Sequence, residues 1–291
     1  MKKVKPYLYC MPALIMLLLF IYYPILQNVY YSFLKWDLFS GKKKLIGFSN
    51  YSKLFKDRLF WTAIRNNLYF IVISLIFQVI ISLIFAFMLE NMKNKRISAV
   101  FRTTYFLPSL ISITIIGLLF TFIYEPKGLL NGILRAIGPD NLAKGWLGDA
   151  NTAIFAVIAE SQWRNIGYTM LFIIVAIQRI PAEITEAAKL DGASKFQTLL
   201  YVTTPMIAST ILLCSIITTT GGFLIFNDVY VLTAGGPYNS SEVLATIMYK
   251  NGFDYGKVGY ASAIGNIILI FSAIFAGFQS GLFNQKKGKN R

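Results

Sequence analysis

The sequence predicts an all-α membrane protein with six transmembrane helices, and two observations lead to this class. Of its 291 residues, 56% are hydrophobic and only 14% are charged, with a mean hydropathy of +0.57. Soluble domains carry about 25% charged residues, so this chain has too little polar surface to cover a soluble core. Six stretches also meet or approach the roughly 20 apolar residues that a membrane-spanning helix needs. They are residues 7–34, 67–89, 101–124, 152–180, 205–226 and 258–283.

The first stretch is interpreted as a retained membrane anchor. It follows Lys2, Lys3 and Lys5 in the manner of a signal sequence, but its apolar part is too long for a signal peptide and no A-x-A cleavage site follows. We therefore divide the chain into an N-terminal anchor with the first external loop, residues 1–66, and a five-helix transmembrane core, residues 67–291.

The distribution of positive charge favours a cytoplasmic location for both termini. Lys and Arg prefer the cytoplasmic side. Fourteen of them lie at the termini or in the loops on that side, including Lys93, Lys95 and Arg96. The two later outer loops hold five basic residues against six acidic ones, including Asp140. The first outer loop departs from the rule, with seven basic residues: Lys35, Lys42, Lys43, Lys44, Lys53, Lys56 and Arg58.

The fourth stretch is interrupted by polar and ionisable residues, which are Glu160, Gln162, Trp163, Arg164, Asn165 and Gly167. An ionisable side chain at membrane depth is costly unless it faces a cavity or a partner, so we expect a break in this helix that serves function. The alternative is that the break lies near the membrane interface, where Arg164 extends its charged end to the lipid headgroups.

Other polar residues in the spans are ambiguous. The fifth stretch holds small and hydroxylated residues that permit close helix packing, and substrate contact is equally open for them. They are Ser209, Thr210, Ser215, Thr218, Thr219, Thr220, Gly221 and Gly222. Gln78 and Asn266 are lone polar residues of the second and sixth stretches. Such residues usually join helices by hydrogen bonds, and the alternative is that either lines a substrate path.

Composition excludes several classes of function. The chain has no histidine, which removes imidazole chemistry, His metal ligands and Ser-His-Asp triads. It also lacks a G-x-x-x-x-G-K-[ST] motif that could bind nucleotide phosphates. The net charge of +15 would suggest nucleic acid for a soluble domain, but in a membrane chain it reflects loop lysines. We expect no catalytic residue, metal site or nucleic-acid partner.

Residues 181–205 predict two short helices joined by a tight turn. Pro181 suits the first position of a helix and Glu183 the positive end of its dipole. Gly192 suits the position after the helix, which needs a positive φ. Ser194 and Gln197 then have the spacing of a capping box that starts a second helix. An ordinary solvated loop would not need two capped helices, so this segment suits insertion into a groove of another protein.

The same segment resembles the EAA signature of membrane subunits of bacterial ABC importers. The matching residues, at the family's spacing, are Glu186, Ala187, Ala188, Asp191, Gly192, Ala193 and Pro205. Val202 and Thr204 stand where the family usually has Ile and Leu. The resemblance implies a coupling helix that docks into a cleft of an ATPase subunit, with Glu186 in a charged contact and Gly192 at the turn.

Further motifs are similar to those of carbohydrate permeases in the maltose, glycerol-3-phosphate and multiple-sugar group. Thr233, Gly235, Gly236 and Pro237 look like their T-x-GGP region, and residues 46–61 look like their first external loop. The resemblance runs from about residue 46 to 263 and places the basic first loop outside, which supports cytoplasmic termini. On physical grounds alone, Gly-Gly-Pro predicts only a turn.

The resemblance implies a type I ABC importer permease in the bacterial cytoplasmic membrane. Its implied partners are a second, homologous permease, two cytoplasmic ABC ATPase subunits that bind ATP and magnesium, an extracytoplasmic sugar-binding protein and the lipid bilayer. No cofactor is expected in this chain. Sugars are held by aromatic stacking and by amide or hydroxyl groups, so the substrate-path candidates are Gln162, Trp163, Asn165, Tyr168, Asn227 and Asp228.

Three alternatives remain open at this point. An ABC importer could carry a non-sugar solute, although the T-x-GGP region argues against it. An ion-driven secondary transporter typically shows paired broken helices and leaves the EAA-like segment without a role. A membrane-bound enzyme would need a convergent pair of carboxylates at the depth of the spans, which the sequence does not indicate.

Overall fold

The computed structural model describes residues 5–138 and 143–289. Lys2, Lys3, Asp140 and Arg291, which enter the charge comparison above, lie outside these residues.

The N-terminal part consists of one long helical rod followed by a small hairpin. Helices α1 (Lys5–Leu17) and α2 (Tyr23–Ser32) join through a π-helical turn at Leu18–Tyr22. Strands β1 (Leu34–Trp36) and β2 (Lys43–Leu45) pair antiparallel. Helix α3 (Ser49–Lys56) follows. The helical rod therefore ends before Leu34, which the sequence placed in the first span and which begins β1 instead.

The next part contains the second and third predicted spans. Helices α4 (Arg58–Ser74) and α5 (Ser82–Glu90) are continuous through a π-helical turn at Leu75–Ile81. The remaining elements of this part are helix α6 (Lys95–Phe106), a 3-10 turn (Leu107–Leu110), helix α7 (Ile113–Tyr124) and helix α8 (Leu129–Ile137).

The third span departs from the prediction. The stretch 101–124 is not one helix, because it divides between α6 and α7 at the 3-10 turn that contains Pro108. A proline lacks the N–H that would continue the helix, and Ile111 is already extended, with φ −81° and ψ 143°.

The C-terminal half contains the remaining helices, several of them short. They are α9 (Ala153–Ile177), α10 (Ala182–Leu190), α11 (Lys195–Gln197), α12 (Thr204–Met206), α13 (Ala208–Leu224), α14 (Asn227–Leu232), α15 (Leu244–Tyr249) and α16 (Val258–Lys289). Two π-helical turns, Thr198–Thr203 and Lys250–Asp254, lie between α11 and α12 and between α15 and α16.

Four helical rods of the described chain are long and apolar enough to cross a membrane: Tyr9–Ser32, Arg58–Glu90, Ile113–Ile137 and Val258–Phe283. Two bent pairs pass the same test together, α9 with α10 and Lys195–Met206 with α13. The number of spans is therefore four, or up to six if each bent pair is one span. The all-α membrane class is confirmed, and the count of six stays a prediction.

The chain divides into two compact units. The first comprises Met1–Trp61 and Leu244–Ile270, and the second comprises Thr62–Val243 and Phe271–Arg291. The domain boundary predicted after residue 66 stays a prediction.

In the first unit, buried amides join the hairpin and α3 to the long helices. Asn50 donates to the carbonyls of Ser32 and Leu34 at 2.8 and 2.9 Å. Asn266 accepts from Asn28 at 2.8 Å and donates to the Tyr51 hydroxyl at 2.9 Å. The expected role of Asn266 in joining helices is confirmed.

In the second unit, α9 is the central helix. It packs against α5, α6, α7, α13 and α14, and more than half of its 25 residues are buried. Two apolar clusters flank it, one around Met170, Ile173 and Ile174 and one around Ile154, Val157 and Ile158. A buried polar side chain on α9 therefore needs a hydrogen-bond partner.

Candidate functional site

Segment 181–205 forms the two capped helices that its sequence predicts. Pro181 is the N-cap of α10 rather than its first residue, and Glu183 lies in the first turn. At the other end, Gly192 has φ +80°. Its N–H donates to the Lys189 carbonyl at 3.1 Å, and the Ala193 N–H donates to the Ala188 carbonyl at 3.0 Å. This pair of bonds is a Schellman motif, which ends the helix sharply.

The second helix starts with the predicted capping box. The Gln197 N–H donates to Ser194 Oγ at 3.3 Å, and the Ser194 N–H donates to Gln197 Oε1 at 2.8 Å. The chain then passes through the π-helical turn at Thr198–Thr203 into α12, which contains Pro205.

The segment is exposed and turns sharply away from both neighbouring helices. The axis bends by 83° between α9 and α10, and by 78° at the break before α13. No residue of α10 is buried, and Leu190 and Phe196 are 89% and 70% exposed. Of the matched signature residues, Glu186, Ala187, Asp191, Gly192 and Pro205 are exposed, and Ala188 and Ala193 are half-buried. A rigid, exposed surface with apolar side chains is typical of a protein interface.

The expected break in the fourth span is absent. Helix α9 runs without interruption from Ala153 to Ile177. Gly167 does not break the helix; a Cβ there would overlap the backbone carbonyl of Tyr105 on α6. Glycine is needed for the close approach of two helices, and the polar side chains around it find partners across the bundle.

Gln162 is the centre of a buried hydrogen-bond network. It accepts from Gln78 Nε2 at 2.9 Å and donates to Ser74 Oγ at 3.0 Å. It also donates to the Ile158 carbonyl at 3.1 Å. All three side chains are buried. This confirms that Gln78 joins helices, and it gives Gln162 a structural role.

Arg164 holds two buried carboxylates together. Its Nε donates to Glu160 Oε1 at 3.4 Å, and its Nη2 pairs with Asp228 of α14. The side chains of Glu160 and Asp228 are 1% and 3% exposed, and that of Arg164 is 16% exposed. A charge buried at this depth needs a partner, and the single cation of Arg164 faces both acidic side chains. Arg164 is thus part of an internal ion pair. The alternative in which its charged end extends to the lipid headgroups is therefore wrong.

The remaining path candidates lie on different faces. Asn165 and Tyr168 line a cavity of about 210 Å³ between α4, α9 and α13, together with Ser74, Gln78, Ser161 and Thr218. Gln162 and Trp163 line a separate apolar groove of about 600 Å³, where the Trp163 ring lies 5.3 Å from that of Phe120. Asn227 is exposed at the start of α14. The structure therefore brings together only part of the expected set.

Sequence reasoning missed Ser74 and Thr169 as residues of the cavity that Asn165 and Tyr168 line. Ser74 lies four residues before Gln78, so the two share a helix face, and that spacing was the available signal. Thr169 likewise lies four residues after Asn165. Thr218, Gly221 and Gly222 of α13 line the same cavity, while Thr219 accepts from Gln279 at 2.8 Å. The hydroxylated stretch thus serves both packing and the cavity.

The Gly-Gly-Pro segment is a folded loop in which Gly235 has little room for a side chain. Gly235 has φ +85°, and a Cβ there would overlap the carboxylate of Glu242. Thr233 and Ser241 join their hydroxyls at 2.8 Å, and Ser241 donates to the Gly236 carbonyl at 2.5 Å. Asn66 donates to the carbonyls of Ser240 and Glu242 at 2.7 and 2.8 Å, fastening the loop to α4.

Comparison with known proteins extends these findings. The profile of the family described as "Binding-protein-dependent transport system inner membrane component" matches residues 78–287. The "Probable ABC transporter permease protein YurN" of Bacillus subtilis (strain 168) is 46% identical over 288 residues, which cover 99% of this chain and 98% of the relative. The "Lactose transport system permease protein LacF" of Rhizobium radiobacter is 33% identical over 98% of this chain and 95% of its own.

A solved structure has the same fold. The crystal structure of a bacterial ABC transporter involved in the import of the acidic polysaccharide alginate contains a chain that superposes with a TM-score of 0.83 at 26% identity. The match covers 98% of each chain. A second structure, of the alginate transporter in complex with a periplasmic protein that holds an alginate pentasaccharide, matches with a TM-score of 0.80 at 25% identity.

Proposed function

Because the chain belongs to the family of binding-protein-dependent transport system inner membrane components, we propose that it is the membrane-spanning permease subunit of an ATP-driven sugar importer. Relatives named for lactose, arabinooligosaccharides and multiple sugars support a carbohydrate cargo, as do the alginate transporter structures. An ion-driven transporter is not favoured, because these relatives are ABC transport components.

The observation that carries the proposal is the exposed helix-turn-helix at 181–205. A helix with no buried residue, closed by a Schellman motif and followed by a capping box, is rigid without being part of the core. Such an element transmits a push from a docked partner to the helices at both of its ends. In the proposal this partner is one of two cytoplasmic ATPase subunits, which bind ATP and magnesium, and Glu186 makes the charged contact.

The translocation path is formed by two permeases, this chain and a second, homologous one. Binding and hydrolysis of ATP in the partner subunits would alternate the pair between inward-open and outward-open states. An extracytoplasmic binding protein delivers the sugar. This chain contributes the cavity of about 210 Å³, where Asn165 and Tyr168 offer an amide oxygen and an aromatic ring to a sugar. The Asn165 Nδ2 already donates to Ser161. The proposal also keeps Gln162, Trp163, Asn227 and Asp228 as substrate-path residues, although they do not line this cavity.

The proposed location is the bacterial cytoplasmic membrane, with both termini in the cytoplasm. The excess of Lys and Arg on the side of the termini supports this orientation. It puts segment 181–205 on the same side as the ATPases and the hairpin of β1 and β2 outside.

The test is ATP-dependent sugar uptake by proteoliposomes that contain the complete transporter. We expect Glu186→Ala and Gly192→Val to reduce uptake at least tenfold while the complex still assembles. Nothing lies within 4 Å of a Cβ at Gly192, so the valine acts only through the strained positive φ. Glu183→Ala is the matched control on the same exposed helix. Gly41→Val is the second control, because Gly41 also has a positive φ and open space around it.

Uptake that continues without the ATPase subunits would contradict the importer. Equal losses in the variants and in their controls would contradict the coupling role of the segment. For the path, Asn165→Leu and Tyr168→Ala should raise the sugar concentration needed for half-maximal uptake while leaving ATPase assembly intact.

A further inference from the structure

The basic first outer loop has no explanation in topology, since its lysines oppose the tendency of positive charge to stay in the cytoplasm. In the structure, part of this loop lines a cleft of about 580 Å³ within the first compact unit. The residues that matter for its chemistry are Lys35, Lys53, Lys56, Lys257, Asp57 and Tyr260.

The walls of the cleft are held by hydrogen bonds independent of the lysines. Backbone pairing joins Asp37 to Lys257, and the Leu38 N–H donates to the Gly256 carbonyl at 2.7 Å. Asn50 ties α3 to the first residue of β1. Strand β1, helix α3 and the start of α16 thus form one preorganised frame, which lowers the ordering cost of binding a ligand.

The positive charges of the cleft outnumber its negative charges, with four lysines against two aspartates. Lys35, Lys53, Lys56 and Lys257 are exposed, and none makes a salt bridge within residues 5–138 and 143–289. Both oxygens of Asp57 are engaged, one by the Leu59 N–H at 2.9 Å and one by the Tyr260 hydroxyl at 3.0 Å.

The second acid of the cleft, Asp37, is also engaged. It accepts from the Ser40 N–H at 2.8 Å. That backbone hydrogen bond, with a smaller contribution from the charge of Lys35, lowers the pKa of Asp37. The cleft therefore combines four cations with two carboxylates that already have partners.

We propose that this cleft binds a saccharide that carries a carboxylate or a phosphate group. Ammonium groups supply charge-assisted hydrogen bonds to either anion. Tyr260 and Asn251 line the cleft beside them, and their side-chain oxygens can accept hydrogen bonds from sugar hydroxyls. The volume lies in the range of small-molecule sites, about 300–1,000 Å³, and a concave site of this kind favours a small ligand over the flatter surface of a protein. The inference rests on the proposed function for the carbohydrate nature of the cargo.

The test is calorimetric titration of the two permeases with their ATPase subunits, in nanodiscs, without ATP and without the extracytoplasmic binding protein. The probes are trigalacturonate for the carboxylate, glucose 6-phosphate for the phosphate and maltotriose as the neutral control. We expect one or both anionic probes to bind, maltotriose to bind at least tenfold more weakly, and the anionic affinity to fall as salt rises. The triple variant Lys53→Gln, Lys56→Gln, Lys257→Gln should lose about tenfold or more in anionic affinity.

The matched control is Lys42→Gln with Lys44→Gln, since these lysines are exposed on the same loop but do not line the cleft. We expect it to stay within twofold of the wild type. The single variant Lys257→Gln provides a smaller perturbation if the triple variant does not assemble.

Two results would overturn the inference: no binding of either anionic probe, or binding unchanged in the lysine variants. Loss of binding-protein docking in the variants, with saccharide binding unchanged, would instead make the cleft a docking surface and would also overturn it. None of these results affects the importer assignment. Its failure would appear as uptake that needs no ATPase subunit.

Discussion

Segment 181–205 and helix α9 are neighbours in the chain, yet their charged residues have opposite surroundings. On α10, Glu183 and Glu186 lie in solvent, and no residue of the helix is buried. On α9, Glu160 is almost completely buried and is paired through Arg164 with Asp228 of α14. The acidic residues of α10 are therefore exposed to an outside partner, whereas the acidic residue of α9 is paired inside the protein.

The two regions also differ in the sequence separation of the residues that their hydrogen bonds join. The turn and caps of segment 181–205 involve residues within five positions of each other. The bonds that Gln162 and Arg164 make outside α9 join residues 64 to 88 positions apart. Local substitutions should therefore act locally in the first region and on the whole fold in the second.

The largest expected effect is that of Arg164→Met. It leaves the carboxylates of Glu160 and Asp228 buried with no cation, and breaking a buried pair costs about 3–5 kcal/mol. SDS titration of the chain in mixed micelles should show this loss in the free energy of unfolding.

The matched triple variant Glu160→Gln, Arg164→Met, Asp228→Asn removes all three charges and should recover a large part of that stability. If Arg164→Met is as stable as the wild type, the ion pair does not hold α9 and α14 together.

An intermediate effect is expected for Gly167→Ala. The added Cβ would overlap the Tyr105 backbone, and overpacking of this kind costs about 1–3 kcal/mol. Gly221→Ala is the control, because no atom lies within 4 Å of a Cβ there. Alanine favours a helix by about 1 kcal/mol over glycine, so this variant should be unchanged or stabilised. Thermal unfolding of both variants decides the point; equal shifts would show that α9 and α6 do not need this close contact.

The smallest expected effect on the fold is that of Ser194→Ala. It removes one half of the capping box and costs about 1 kcal/mol locally, while global unfolding stays the same. Hydrogen exchange should then be about fivefold faster for the amides of residues 195–200. Ser194→Thr keeps the cap and should preserve protection. A global loss of stability in Ser194→Ala would show that the segment belongs to the core.

The predictions from sequence were confirmed where the structure of a segment depends only on residues within that segment. Gly192, Ser194 and Gln197 behave as predicted, because positive φ and capping depend on adjacent residues. The expected break in α9 was wrong, because polar residues at membrane depth do not by themselves interrupt a helix. Gln162 and Arg164 instead find partners on α4 and α14, which no local pattern could identify. The single span expected at 101–124 was wrong, because the turn that contains Pro108 separates α6 from α7.

The membrane class, the family resemblance and the shape of segment 181–205 were determined by the amino-acid sequence itself. Apolar length, charge bias and capping residues act over a few positions of chain, so they can be recognised without coordinates. Tertiary structure alone decided which polar residues face a cavity, which are consumed in internal bonds, and that four lysines of the first unit line one cleft. Those outcomes depend on burial and on pairing between distant residues, because a buried polar group must find its partner wherever the fold provides one.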